Sequence, residues 1–79
     1  MKTKFNSMNA PMTFDTTKDL SVNAPQIFRQ MEVGDVAVFK AMFLIGVQSC
    51  VNRIHKSGRA HFTRQMSRDN QTFTFTRTA

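Results

Sequence analysis

Thr and Phe alternate over Thr72-Phe73-Thr74-Phe75-Thr76. Successive side chains of a strand point to opposite faces, so this stretch reads as a ribbon with one apolar and one hydroxyl-bearing side. The stretch from His61 to Met66 has the same period. Phe62 and Met66 share one parity with Arg64 between them, and His61, Thr63 and Gln65 take the other. Asp69-Asn70 lies between the two runs, and both residue types tolerate the positive φ of a tight hairpin turn. A two-residue turn there pairs Arg68 with Gln71, Met66 with Phe73, Arg64 with Phe75 and Phe62 with Arg77. In this register Phe62, Met66, Phe73 and Phe75 form one face. His61, Thr63, Gln65, Ser67, Thr72, Thr74, Thr76 and Thr78 form the other. Slipping by one residue would set Phe against Thr on every rung, which a half-buried sheet resists. Arg64 and Arg77 fall on the Phe face. They are expected at its margin, with apolar stems packed and guanidinium groups in water.

The apolar face needs a cover. Leu44, Val47, Val51 and Ile54 follow helical spacing with Cys50 on the same stripe, while Gln48, Ser49, Asn52, Arg53 and Lys56 occupy the opposite side. The pattern predicts a helix from about Met42 to Lys56, stopped by the left-handed conformation that Gly58 permits. Gly46 inside it costs about 1 kcal/mol relative to Ala, and is read as a point of close approach to the sheet. Upstream, Glu32-Val33-Gly34-Asp35 reads as a turn into a short strand, Val36 to Lys40. Val36 and Val38 face one way, Ala37 and Phe39 the other. Asn23, Pro25 and Gln26 suit a helix start, so Ala24 to Gln30 is either one short helical turn or an extended arm. The expected order is β-α-β-β, with one helix on a three-stranded antiparallel sheet, an α+β domain.

The 79 residues allow one domain. Residues 24–79 are assigned to it, and residues 1–23, where no period holds, are read as a flexible N-terminal arm. "MNAPMTF" at Met8 to Phe14 resembles "VNAPQIF" at Val22 to Phe28, a repeat too short for a solenoid. Cys50 is the only cysteine, so no internal disulfide can form. No apolar run approaches the ~20 residues of a membrane span, and the N-terminus lacks the apolar core of a signal peptide. A reducing cytoplasm is the expected compartment.

Three pieces in order, "EVGD" before a strand, a helix ending "RIHKSGR", and "HFTRQ…NQTFTFTR", resemble small early proteins of bacteriophages. In those proteins a VGE or VGD turn precedes a strand, a helix follows, and a Gly-(Lys/Arg)-x-Phe-x-x-(Arg/Lys) stretch opens a C-terminal hairpin; here Gly58, Arg59 and Phe62 follow in that order, with Phe62 one residue later. The resemblance covers roughly Glu32 to Thr78. It implies a phage product acting in a bacterial host cytoplasm and assigns no mechanism. In that pattern the position of Arg64 is sometimes apolar or polar, so its role transfers least.

Charge is distributed unevenly. Residues 1–40 hold five basic and four acidic side chains, whereas residues 41–79 hold six basic ones against Asp69 alone. Five of those six are Arg, whose fork matches phosphate better than Lys does. Such a basic half is the electrostatic footprint of a nucleic-acid binder, and plain solubility is the competing explanation. Arg53, Lys56 and Arg59 at the helix exit, with Arg68 at the hairpin tip, are the expected phosphate contacts. Gln48 and Asn52 are the candidate base readers, with duplex DNA the expected partner. The chain has no Tyr or Trp, which argues against a sheet that stacks RNA bases. Cations in the last helical turn also complement the helix dipole, so part of the patch has a structural reading.

Enzymatic chemistry finds little support. Cys50 falls on the core stripe, and a buried thiol is inert. Cys50, His55 and His61 match no usual zinc spacing, and the carboxylates form no recognisable pair. No cofactor and no metal are expected. The alternative to nucleic acid is a phage-type inhibitor gripping a host protein through Phe5, Met8, Met12 and Phe14 of the arm. Self-association through an exposed sheet edge is a third possibility.

Overall fold

In the computed structural model, which describes residues 11–79, the alternation of the C-terminal ribbon is carried through to burial. Strand β4 (Thr72–Arg77) buries Phe73 and Phe75 completely and leaves Thr72, Thr74 and Thr76 half-buried on its other side. It pairs antiparallel with β3 (Phe62–Met66) in the expected register, Phe62 opposite Arg77, Arg64 opposite Phe75 and Met66 opposite Phe73. The predicted Arg68–Gln71 rung does not form. The Ser67 amide donates to the Thr72 carbonyl and the Asn70 amide to the Ser67 carbonyl, so residues 68–71 make a four-residue loop with Asn70 at φ 59°.

The helical assignments hold with small shifts. α1 (Ala24–Gln30) is a formed helix, resolving the choice between helix and extended arm. The Asn23 side chain accepts the Gln26 amide at 3.2 Å, and Pro25 sits in the first turn, where its missing N–H costs nothing. A 3₁₀ turn over Ala41–Phe43 leads into α2 (Leu44–Ser57), which ends at Gly58 with φ 73°. Val47, Cys50 and Val51 are buried on its inner stripe, and Leu44 and Ile54 pack at the margin of the core.

The sheet departs from the expected three antiparallel strands. β2 (Val36–Lys40) pairs antiparallel with β4, and a fourth strand, β1 (Thr13–Asp15), pairs parallel with β2. The order is β1-β2-β4-β3, a mixed sheet within an α+β fold. β1 lies inside the stretch read as a flexible arm, so residues 13–15 belong to the sheet. Farther along the same stretch, the Thr16 amide and hydroxyl both donate to the Val38 carbonyl and Val22 packs against the core, so this part of it is also tied to the domain. Residues 1–10 lie outside the described residues. The connection from β1 to β2 runs through α1, as a parallel pair requires.

The missed strand is held by the aspartate of the "EVGD" motif. Asp35 is buried. Its Oδ1 accepts the Met12 amide at 3.0 Å and its Oδ2 accepts the Glu32 amide at 2.9 Å. The Val36 amide donates to the Met12 carbonyl, the Gly34 amide to the Arg77 carbonyl, and the Arg77 amide to the Asp35 carbonyl. One carboxylate and its neighbouring backbone therefore join the starts of β1 and β2 to the end of β4. Gly34, at φ 96°, makes the turn that delivers Asp35 to this position.

The core lies between one sheet face and both helices. Phe28 from α1 touches rings from three strands, with centroids 5.8 Å from Phe39, 4.9 Å from Phe62 and 5.9 Å from Phe75. Phe39 stacks on Phe73 at 5.4 Å. Met66, expected in this layer, is 39% exposed beyond its edge. The opposite sheet face carries Val36, Val38 and Lys40 of β2 beside the threonines of β4. Among the described residues no helix is long and apolar enough to cross a membrane.

Gly46 does not approach the sheet. It is exposed, and a Cβ built on it meets nothing within 4 Å. Gly46→Ala is therefore expected to stabilise the protein by up to about 1 kcal/mol. Asp35→Ala leaves two amides without their acceptor and is expected to cost at least ~1–3 kcal/mol. Urea denaturation of the two variants, giving opposite shifts in midpoint, is the check.

Candidate nucleic-acid interface

α2 carries no acidic residue, and its C-terminal half presents cations on the side opposite the core. Asn52, Arg53, His55 and Lys56 line one shallow depression there. These residues are neighbours because three- and four-residue spacings share a helix face. Arg53 also borders an apolar groove formed with Val22, Ala24, Pro25, Phe43 and Cys50. Of the predicted phosphate contacts, Arg53 and Lys56 are thus together.

Arg59 lies past the helix end, in a different cleft. Its Nε donates to the Ser57 hydroxyl at 3.2 Å, which in turn donates to the Ile54 carbonyl at 2.7 Å. Arg68 stands at the other end of β3 from Arg59. Five strand residues at ~3.3 Å each separate the two. The four basic residues do not form one cluster.

The candidate base readers are engaged with other side chains. The Gln48 amide nitrogen donates to Asn52 Oδ1 at 3.0 Å, and Gln48 Oε1 accepts from Arg64 Nη1 at 2.9 Å. Both ends of the Gln48 amide are therefore used, while Asn52 is exposed and gives its Oδ1 to Gln48. Arg64 fits the expected placement at the margin of the Phe face, with its guanidinium anchored to α2. The sequence period placed it there but did not reveal its helical partner.

The histidines hold the helix exit to the sheet. His55 Nε2 accepts the Phe62 amide at 2.9 Å, so the unprotonated nitrogen of that ring is a structural acceptor. His61 stacks on His55 with centroids 4.5 Å apart and planes within 5°, and its Nδ1 lies 3.0 Å from Thr78 Oγ1. Cys50 is buried on the core face of α2. Among the described residues no three His, Cys, Asp or Glu side chains gather as a metal set.

Asp15 ends β1, and Asp69 lies in the loop between β3 and β4. Asp15 and Asp69 are exposed, and both are held below the ordinary aspartate range. For Asp15 the Thr17 hydroxyl and then the Thr17 amide favour the charged form, while for Asp69 these roles fall to the Ser67 hydroxyl and the Gln71 amide. Because the folded-state pKa is depressed, the stabilisation exists above the unfolded value and is lost as pH falls through the folded one.

Sequence reasoning did not single out Arg29. It sits in the last turn of α1 and lines the same cleft as Arg59, together with Phe28, Ile54, Ala60, Phe62 and Arg77. Arg77 is half-buried there. Its Nη1 donates to the Met31 carbonyl at 2.7 Å and its Nε to the Ala79 carbonyl at 2.9 Å, so it also closes the end of α1. Only proximity in space unites these three arginines, which come from α1, the α2–β3 loop and β4.

No family model, curated protein or solved structure matches this chain.

The Asp69 hydrogen bonds generate a checkable result. In an acid titration followed by NMR, the Gln71 amide should shift with a midpoint below the ordinary aspartate range. A midpoint within that range would contradict the loop geometry.

Proposed function

We propose that this protein is a small, non-enzymatic nucleic-acid-binding protein that acts on duplex DNA, in a regulatory role of phage or mobile-element type. The observation carrying this reading is the exposed face of α2. Arg53 and Lys56 share a depression with Asn52 and His55, no acidic residue lines it, and the 14-residue helix contains no acidic residue at all. A helix of this length is ~21 Å long, enough to lie along a groove. The resemblance to bacteriophage early proteins supports the biological setting, a bacterial host cytoplasm.

Binding would be carried by phosphates more than by bases. Gln48 is occupied on both sides, so sequence readout through it requires breaking its bonds to Asn52 and Arg64. Weak sequence preference and strong salt dependence follow.

A second reading, inhibition of a host protein, draws on different residues from those first considered. Phe14 packs against the core, and Phe5 and Met8 lie outside the described residues. Met42 and Ile45 on the first turn of the helical segment are 78% and 84% exposed, an apolar pair of the kind that partners cover.

Reversing Arg53, Lys56 and Arg59 to Glu together should abolish a duplex DNA gel shift at low salt while the circular dichroism spectrum stays unchanged. The wild-type shift should fade as salt rises. Undiminished DNA binding by the triple variant would refute the patch. Capture of one defined host protein at high salt, lost in Ile45→Lys, would favour the second reading.

A further inference from the structure

Resting on the nucleic-acid reading, we infer that the cleft between α1, the α2–β3 loop and β4 receives a terminal phosphomonoester, the phosphate at the end of a nucleic-acid strand. The cleft has a volume of about 220 Å³. That lies below the ~300–1,000 Å³ typical of sites for whole drug-sized ligands, so it suits one charged group and its immediate attachment. Three of its seven lining residues are Arg29, Arg59 and Arg77, and none is acidic.

The chemistry of the walls decides the ligand class. Phe28 and Phe62 line the cleft but are each only 3% exposed, since their faces are used in the core. Base stacking, which needs an open aromatic face, is therefore not what this site offers. What remains accessible is guanidinium at the rim and the partly exposed aliphatic side chains of Ile54 and Ala60. A guanidinium donates in a planar fork that matches phosphate oxygens. An internal phosphodiester brings one negative charge. A phosphomonoester brings about −1.5 to −2 at neutral pH and three acceptor oxygens, the better match to three arginines lining one cleft. A sugar carbon would then rest on Ile54 and Ala60.

The three arginines are not equivalent. Arg77 is half-buried and committed in part to the Met31 and Ala79 carbonyls, which makes it a fixed charge in the wall of the cleft. Arg59 is exposed and restrained through Nε alone, which leaves its outer nitrogens for a ligand. Arg29 is exposed on the last turn of α1 and lies outside the helix-face patch, which makes it the clean probe.

The test compares three blunt duplexes of one sequence, ending in hydroxyls, 5′-phosphates or 3′-phosphates, by fluorescence anisotropy with the full chain at one low salt concentration. One phosphorylated duplex should bind about tenfold tighter than the hydroxyl-ended one. Arg29→Gln should remove that preference while leaving hydroxyl-ended binding within about twofold, the loss of one peripheral charge. Equal affinity for all three duplexes would overturn the inference. If no duplex binds, the nucleic-acid reading fails by itself, and adenosine 5′-monophosphate and inorganic phosphate decide the cleft. Saturable shifts of the Arg29, Ala60 and Arg77 amides, abolished in Arg29→Gln, would retain a phosphomonoester site for a free small molecule. Absence of those shifts would overturn it.

Discussion

A layer of phenylalanine rings on one face of the sheet is the constraint from which the rest of the molecule follows. A chain of 79 residues buries a modest fraction of its surface, and here Cys50 is alone, so no disulfide supplements the core. Phe39, Phe73 and Phe75 supply the floor from β2 and β4, Phe62 extends it from β3, and Phe28 closes it from α1. Fully burying each such ring contributes roughly 1.5–3 kcal/mol relative to exposure. Phe28 contacts rings from three strands, so α1 and the sheet cannot move independently without opening the centre of the core.

The same layer gathers the charges. Arg29 follows Phe28 in α1. Phe28 rests against Phe62, and Phe62 is paired across the hairpin with Arg77. Arg59 is three residues before Phe62, beyond the Gly58 stop. Packing two rings thus draws three arginines, distant in sequence, around one opening. Such a concentration of like charge opposes folding to a small degree, and nearby carbonyls offset part of it, as the Arg77 bonds to Met31 and Ala79 illustrate. Other cations have settled structural partners, Arg64 on Gln48 being the clearest. Counting basic residues therefore overstates the charge available to a ligand. Arg29, Arg53, Lys56 and Arg59 are the exposed members that line the two depressions.

Legibility in the sequence tracked the range of the interactions. The hairpin register and the buried stripe of α2 are local periodicities, and both emerge where the pattern of Phe, Val and Thr puts them. β1 was illegible because three residues carry no readable period, and its position is set by Asp35, more than twenty residues away. The "EVGD" motif signalled a turn, but nothing in it announced that its carboxylate would receive the Met12 amide. The two "NAP" segments make the same point. Thr13 and Phe14, which end the first, lie in a strand, whereas Ile27 and Phe28, the matching end of the second, lie in a helix. Tertiary context overrides a shared local sequence. The candidate interface was partly legible for that reason. Arg53, Lys56 and Asn52 follow from helical spacing, while the grouping of Arg59 with Arg29 and Arg77 requires the fold.

The most direct test of this account is a set of NOESY spectra that resolves the aromatic protons of the full chain. Cross-peaks from the Phe28 ring to the rings of Phe39, Phe62 and Phe75 are predicted, together with contacts from Phe62 to the Arg77 side chain. A Phe28 ring with no contact to Phe62 would contradict the claim that one aromatic layer both holds the fold and assembles the arginine cleft.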